Sequence, residues 1–229
     1  MHFIYLALIL FTISYPLFKS FEDKIQYHKK WKFLFPGIFA SAVFFIAWDI
    51  WFTAIGVWKF NSDYLLGFYI VNLPVEEWLF FIVIPFACVF IYEVMNYFVK
   101  KDVLTKYSKT ITLLLIIFLI SISIIHIDKL YTSITFIALA AFLLIHLFII
   151  KSNYLGRFYI TWLVCLIPFF IVNGVLTAMP ILIYNDAENL GIRIYTIPIE
   201  DAFYGMLNVL QVITVYEWLK QRAMLAKSL

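Results

Sequence analysis

The sequence predicts an all-α membrane protein: seven transmembrane helices in two parallel three-helix repeats joined by a linker helix. Three observations predict it. Of 229 residues, 65% are hydrophobic and 14% charged, with a mean hydropathy of +0.96; soluble domains run at about 45–50% apolar and about 25% charged. Apolar runs long enough to cross a bilayer as helices occur seven times along the chain. The first half also recurs in the second at an offset of 124 positions. This composition excludes a soluble globular enzyme and a disordered tail, and a net charge of +3 leaves no electrostatic footprint for nucleic acid.

The seven runs cover roughly 3–18, 33–53, 75–97, 111–127, 131–149, 158–178 and 199–219. The first lacks a basic n-region, and no small-residue cleavage site follows Tyr15-Pro16-Leu17, so it reads as a span and not a signal peptide. The stretch from Phe21 to Trp31 reads as a short amphipathic segment on the membrane surface. Residues 1–100 form the first repeat with spans one to three, 101–128 hold the linker span, and 129–229 form the second repeat with spans five to seven. Cys88 and Cys165 lie inside apolar runs and read as packing residues.

Basic residues in the connections set the orientation. Fourteen fall on one side: Lys19, Lys24, Lys29, Lys30, Lys32, Lys100, Lys101, Lys106, Lys109, Lys151, Arg157, Lys220, Arg222 and Lys227. Only Lys59, Lys129 and Arg193 fall on the other. This bias places the chain in the cell inner membrane with its N-terminus outside and its C-terminus cytoplasmic. Trp31, Tyr92, Tyr97 and Trp218 fall near span ends, as interface anchors do.

Aligning 49–93 with 173–217 gives ten identities among 45 pairs without a gap, including Asn61/Asn185, Gly67/Gly191, Pro74/Pro198, Glu76/Glu200 and Glu93/Glu217. Asp49/Asn173 and Glu77/Asp201 are conservative pairs. Shared hydrophobicity does not explain matched Pro, Glu, Gly and Asn. One span between two three-helix units gives both units the same orientation, so equivalent residues share a depth about a pseudo-twofold axis.

That placement gathers the intramembrane acids. Glu76 and Glu77 follow Pro74 at the start of span three; Glu200 and Asp201 follow Pro198 at the start of span seven. Asp49 lies about one turn, roughly 6 Å, below the matching end of span two, and Asn173 is its counterpart in span six. Ionisable groups at such a level point to function. The competing reading for Glu76 and Glu200 is helix-start capping, which the dipole favours. It leaves Asp49 unexplained. Neighbouring residues on a helix point about 100° apart, so one acid from each half meeting across the axis is the better geometry for a site. Glu93 and Glu217 lie about 24 Å further along and read as interfacial salt-bridge residues near Lys100 and Lys220.

Asp201, Tyr204, Asn208 and Gln211 share one face of span seven, opposite an apolar face of Glu77, Phe80, Ile84 and Ala87 on span three. Interhelical hydrogen bonding is the plainer role for Asn208 and Gln211. Trp48, Trp51 and Trp78 sit beside the acids, either as an interfacial belt or as ring faces that hold a carbocation. There is no Gly-x-Gly-x-x-Gly run and no histidine box, and Asn185-Asp186-Ala187-Glu188-Asn189 is a single acidic motif without a second copy. No flavin, nicotinamide or metal is expected.

At Pro74-Val75-Glu76-Glu77 and Pro198-Ile199-Glu200-Asp201 each half resembles the lycopene cyclase domain of the small, flavin-independent membrane type, whose hallmark is Pro-x-Glu-Glu/Asp preceded by a Gly and an Asn-Leu/Ile-Pro-like lead-in. Gly67 to Pro74 (GFYIVNLP) and Gly191 to Pro198 (GIRIYTIP) match, with Thr196 standing where the first half has Asn72. The resemblance covers nearly the whole chain as a tandem. It implies an isomerase that cyclises the ψ-ends of lycopene to β-rings, giving γ-carotene and then β-carotene. An acid protonates the terminal alkene, the internal alkene attacks the tertiary cation, and a base removes a ring proton. On this reading Glu76, Glu77, Glu200 and Asp201 are catalytic, and Asp49, Asn173, Trp48, Trp51, Trp78, Phe80, Tyr204 and Asn208 hold the substrate. The partners are lycopene or a related linear polyene, the lipid bilayer and other carotenoid-pathway enzymes, without nucleic acid. Two other readings share the features: another intramembrane prenyl or terpene cyclase or prenyltransferase, and a small proton-coupled transporter, which would carry polar residues through the whole depth.

Overall fold

The computed structural model describes residues 2–101 and 103–226; Lys227, counted among the basic residues above, lies outside them. Seven α-helices carry these residues: α1 Ile4–Lys19, α2 Trp31–Ala54, α3 Val75–Phe98, α4 Ser108–Ile125, α5 Leu130–Ile145, α6 Leu155–Ala178 and α7 Ile199–Leu225. Each covers one of the apolar runs, and the whole is an all-α membrane-type architecture. Five helical segments, from α2 to α6, are long and apolar enough to cross a membrane on their own. α1 has 16 residues, about 24 Å at 1.5 Å per residue. α7 is the longest at 27 residues, and the polar face from Glu200 to Gln211 dilutes its apolar character. The fifth run ends in a π-helical turn, His146–Ile150, where the His146 ring bonds Thr214 at 2.9 Å and Ser152 at 2.8 Å.

Six short strands cluster in the loops after α2 and α6: β1 Trp58–Phe60, β2 Tyr69–Ile70, β3 Leu73–Pro74, β4 Leu182–Tyr184, β5 Arg193–Ile194 and β6 Ile197–Pro198. β2 pairs with β3 and β5 with β6 as tight hairpins leading into α3 and α7. Both hairpins use the same backbone: Gly67 and Gly191 have φ of 85° and 71°, and Val71 and Tyr195 both have φ of 60°. That conformation suits glycine and is strained for a β-branched valine.

β1 and β4 tie the two loops together antiparallel, with Lys59 opposite Ile183, a residue and its own counterpart at the 124-residue offset. The flanking bonds are also exchanged: Asn61 N–H donates to Ile181 O and Asn185 N–H to Val57 O, each at 2.9 Å. Proline at the turn ends sets the entry to α3 and α7, since it supplies a fixed φ where no helical N–H partner is needed.

The helices pack with α2 against α7 and α3 among α1, α2 and α6, while α5 lies between α4 and α7. Lipid tails are as apolar as these side chains, so close backbone approach and interhelical hydrogen bonds hold such a bundle. Gly37 supplies the approach on α2: a Cβ there would lie 2.8 Å from the Val212 carbonyl of α7. Ser41 donates to the Asn208 side-chain oxygen at 3.1 Å one turn along, and to Gln211 Oε1 at 3.4 Å, the interhelical role anticipated for both residues.

At the end of the bundle away from the hairpins, Glu93 is 3% exposed and accepts from Lys30, from Lys220 at 3.0 Å and from Tyr216 at 2.6 Å. Its partners are therefore Lys30 and Lys220, and not Lys100. Glu217 also pairs with Lys220. One expectation is corrected here: Tyr92 is a core residue, 2% exposed, because its helix face turns inward. The segment from Phe21 to Trp31 turns at 21–26, forms a 3-10 turn at Tyr27–Lys30 and is pinned by the buried Tyr27 hydroxyl, which donates to Phe86 O at 2.9 Å. Arg157, counted as a loop cation, is buried and donates to Met95 O and Val99 O, neutralising the carbonyl end of α3.

Candidate active site

A cavity runs along α3, α6 and α7, with Tyr5 and Thr12 of α1, Asp49 of α2 and Tyr131 of α5 completing its wall. On α3 its lining extends from Glu77 to Ile91, a rise of about 21 Å. Most of that length is apolar: Phe80, Ile84, Ala87, Cys88, Cys165, Phe169, Val172 and Leu176.

Three carboxyl groups reach this cavity: Asp49, Glu77 and Asp201. All three are buried, at 3%, 5% and 6% exposed. Each is held by phenolic hydroxyl groups. Tyr5 donates to Glu77 Oε2 at 2.5 Å, and Tyr131 donates to Asp201 Oδ1 at 2.6 Å. Tyr5 precedes Glu77 by 72 residues and Tyr131 precedes Asp201 by 70, so the first helix of each half serves the acid at the start of the third. Tyr184 of β4 adds a second bond to Asp201, at 2.7 Å. Tyr204 of α7 donates to Asp49 at 2.5 Å, across the two halves. Asp49 and Glu77 line the same cavity.

Glu76 and Glu200 point elsewhere. Glu76 Oε1 accepts from Leu66 N–H at 2.7 Å, and Glu200 Oε1 accepts from Leu190 N–H at 2.8 Å and from Thr132 Oγ1 at 2.6 Å. Both are fully buried, and neither caps its own helix by a side-chain bond. Their second oxygens are buried without a partner among the described residues. They brace the loop ahead of each hairpin, ten residues upstream. Asn72 and Thr196, which differ in type, do one job: Asn72 donates to Ile50 O of α2, and Thr196 shares a 2.6 Å bond with Thr177 of α6. Each ties its hairpin to the helix before it.

Of the residues expected to hold a substrate, Asp49, Asn173, Phe80, Tyr204 and Asn208 line the cavity. Trp48, Trp51 and Trp78 do not. The Trp48 ring packs between Phe45 and Tyr204, Trp51 is 46% exposed, and Trp78 is half-buried outside the wall. Helix rotation turns Trp51 and Trp78 off the wall, whereas Trp48 stays one ring away from Asp49, through Tyr204. Sequence reasoning missed Tyr5, Trp58, Tyr131, Tyr184 and Trp162, all on the wall. Tyr5 and Tyr131 were open to discovery: they hold like positions in the first and fifth spans, but the offset there is 126 and not 124. The loop motif Asn185 to Asn189 folds on itself. Asp186 is bonded by Asn189 and Arg193, and these contacts, the Asn189 amide first, hold its carboxyl below the usual range.

The family model for lycopene cyclase matches residues 2–95 and 128–219, which together are most of the chain. The chain belongs to the lycopene cyclase family. That membership supports carotenoid cyclase activity, an enzyme that catalyses a cyclisation, with a linear carotenoid as substrate. Comparisons with curated proteins and with solved structures return no match.

Proposed function

We propose that the chain converts the ψ end groups of lycopene to β-rings by acid–base catalysis within the membrane, giving γ-carotene and then β-carotene. The observation that carries this is the gathering of Asp49, Glu77 and Asp201 on one end of an otherwise apolar cavity. The apolar length suits a polyene, and the carboxyl end suits the only chemistry an alkene terminus offers without redox, which is protonation.

The Asp49–Glu77 pair supplies a carboxylic acid and a carboxylate at one point, as paired carboxyls do in other acid–base sites. Its acid protonates the inner carbon of the terminal trisubstituted alkene, which leaves a tertiary cation on the outer, dimethyl-bearing carbon. The tertiary cation is attacked by the internal alkene, which closes the six-membered ring and moves the cation into it. A carboxylate removes the adjacent ring proton, so the product is an isomer of the substrate and the proton count returns to its start. Asp201, held by two phenols, is placed to stabilise the cation, and the ring faces of Trp58 and Tyr204 add to this. Glu76 and Glu200 hold the hairpins that aim Glu77 and Asp201.

The recurrence of hairpins, glutamate–amide bonds and tyrosine–acid bonds supports two parallel repeats, 1–100 and 129–229, joined by span four in 101–128. The basic residues support an N-terminus outside and a C-terminus in the cytoplasm of the inner membrane. Expression in cells that accumulate lycopene, followed by pigment extraction, tests the activity. Cyclic carotenoids are expected. Unchanged lycopene, with the protein inserted and abundant, overturns the proposal.

A further inference from the structure

Resting on the proposed function, we infer that the chain has one polyene cavity and not two, and that each end of the substrate is cyclised in a separate binding event. Two halves that both carry acids offer two places for a site. One lies among α3, α6 and α7. Its counterpart lies among α7, α2 and α3. Among the described residues the first holds the cavity, and aromatic rings pack the second.

The difference is made by three exchanges at the 124-residue offset. Val172, Leu176 and Gly205 line the open cavity. Their counterparts are Trp48, Phe52 and Phe81, which are 7%, 0% and 1% exposed. With Phe45 they form one ring cluster: Phe45 stacks on Trp48 at 5.9 Å and on Phe81 at 5.8 Å, and Trp48 meets Phe52 at 5.6 Å. Each exchange adds an aromatic ring where the open side has a small or aliphatic residue, so the counterpart space is filled. Gly205 keeps the open side clear: a Cβ there would lie 3.0 Å from Trp162 Cη2, so a larger side chain must displace that ring or occupy the cavity.

The polar groups follow the same asymmetry. Tyr204 reaches Asp49, whereas their counterparts Phe80 and Asn173 have no hydroxyl–carboxyl pair to make. Asp49 of the first half is thereby aligned with Glu77 and Asp201 on the one open cavity. A linear polyene then presents one end to the carboxyls at a time. After ring closure it must leave, reverse and return, so the monocyclic carotenoid is a free intermediate that competes with acyclic substrate.

The test is a time course with the purified full chain in lipid vesicles, supplied with ¹³C-labelled lycopene in molar excess and challenged part-way with unlabelled lycopene. Labelled monocyclic product should exceed the amount of enzyme before bicyclic product rises, and the challenge should delay labelled bicyclic product. Bicyclic product forming at its unchallenged rate, with monocyclic never above the amount of enzyme, overturns the inference while leaving the cyclase activity standing. A preparation that cyclises nothing overturns the proposed function and this inference together. Gly205→Leu, which fills the open cavity as Phe81 fills its counterpart, should abolish both cyclisations in protein that inserts normally; continued ring formation by that variant also overturns the inference.

Discussion

The Tyr204 hydroxyl on α7 donates at 2.5 Å to the Asp49 carboxyl on α2, joining residues 155 positions apart inside the cavity wall. The bond fixes which way Asp49 faces and brings a carboxyl of the first half to the acid of the second.

Tyr204→Phe removes that bond and keeps the ring, and Phe80 already occupies the equivalent place in α3. A hydrogen bond to a charged group is worth about 1.5–3 kcal/mol of stability, so the melting temperature should fall, and turnover per folded molecule should fall roughly 10–100-fold as Asp49 loses its orientation. Initial rates of lycopene loss in membranes check this.

Glu76→Gln and Glu200→Gln keep the side-chain oxygen that Leu66 or Leu190 N–H meets but place an amide beside a buried, unpartnered site. The expected outcome is a lower melting temperature, from an unsatisfied buried donor worth about 1–3 kcal/mol, with turnover per folded molecule largely retained. A thermal-shift measurement paired with a rate separates the two effects.

Glu93→Gln strips Lys30 and Lys220 of their shared partner at the end remote from the cavity. Breaking a fully buried pair costs about 3–5 kcal/mol. Here the loss should be smaller, because both lysines keep part of their hydration. Stability should drop and turnover at low temperature should not, as denaturation curves and rates will show.

The seven-span reading with an outward N-terminus predicts that tags at the two ends report opposite faces of the membrane. Protease accessibility in sealed vesicles checks it; both tags on one face would remove the seven-span count, and opposite faces with the N-terminus inside would remove the orientation.

Much of this was legible in the sequence because the chain states it twice. The 124-residue offset picks out Glu77 and Asp201 as counterparts, and the 100° step between helix neighbours says that Glu76 and Glu77 cannot both face one cavity squarely, although the sequence left all four acids as catalytic candidates. Both acids do line one cavity, and Glu76 turns to the loop. Of the tyrosines that hold the acids, Tyr204 stood out on the polar face of span seven, whereas Tyr5 and Tyr131 need an offset of 126 outside the gap-free alignment and Tyr184 lies in a loop strand. Trp48 touches Tyr204, the residue that holds Asp49, yet its ring belongs to the Phe45–Phe52 cluster and not to the cavity wall. Arg157 and Tyr92 misled through hydropathy, which records the polarity of a residue and not the direction in which its helix face turns.

The central claim is that three cavity carboxyls carry the proton transfers. The most direct measurement is conversion of lycopene by Glu77→Gln, Asp201→Asn and Asp49→Asn, each normalised to inserted protein. General acid–base catalysis is typically worth about 10²–10⁴-fold, and an amide keeps the shape but neither gives nor takes the proton. Losses of that size in Glu77→Gln and in at least one of the aspartate variants, with substrate still bound, are predicted. Near-normal conversion by all three would contradict the account.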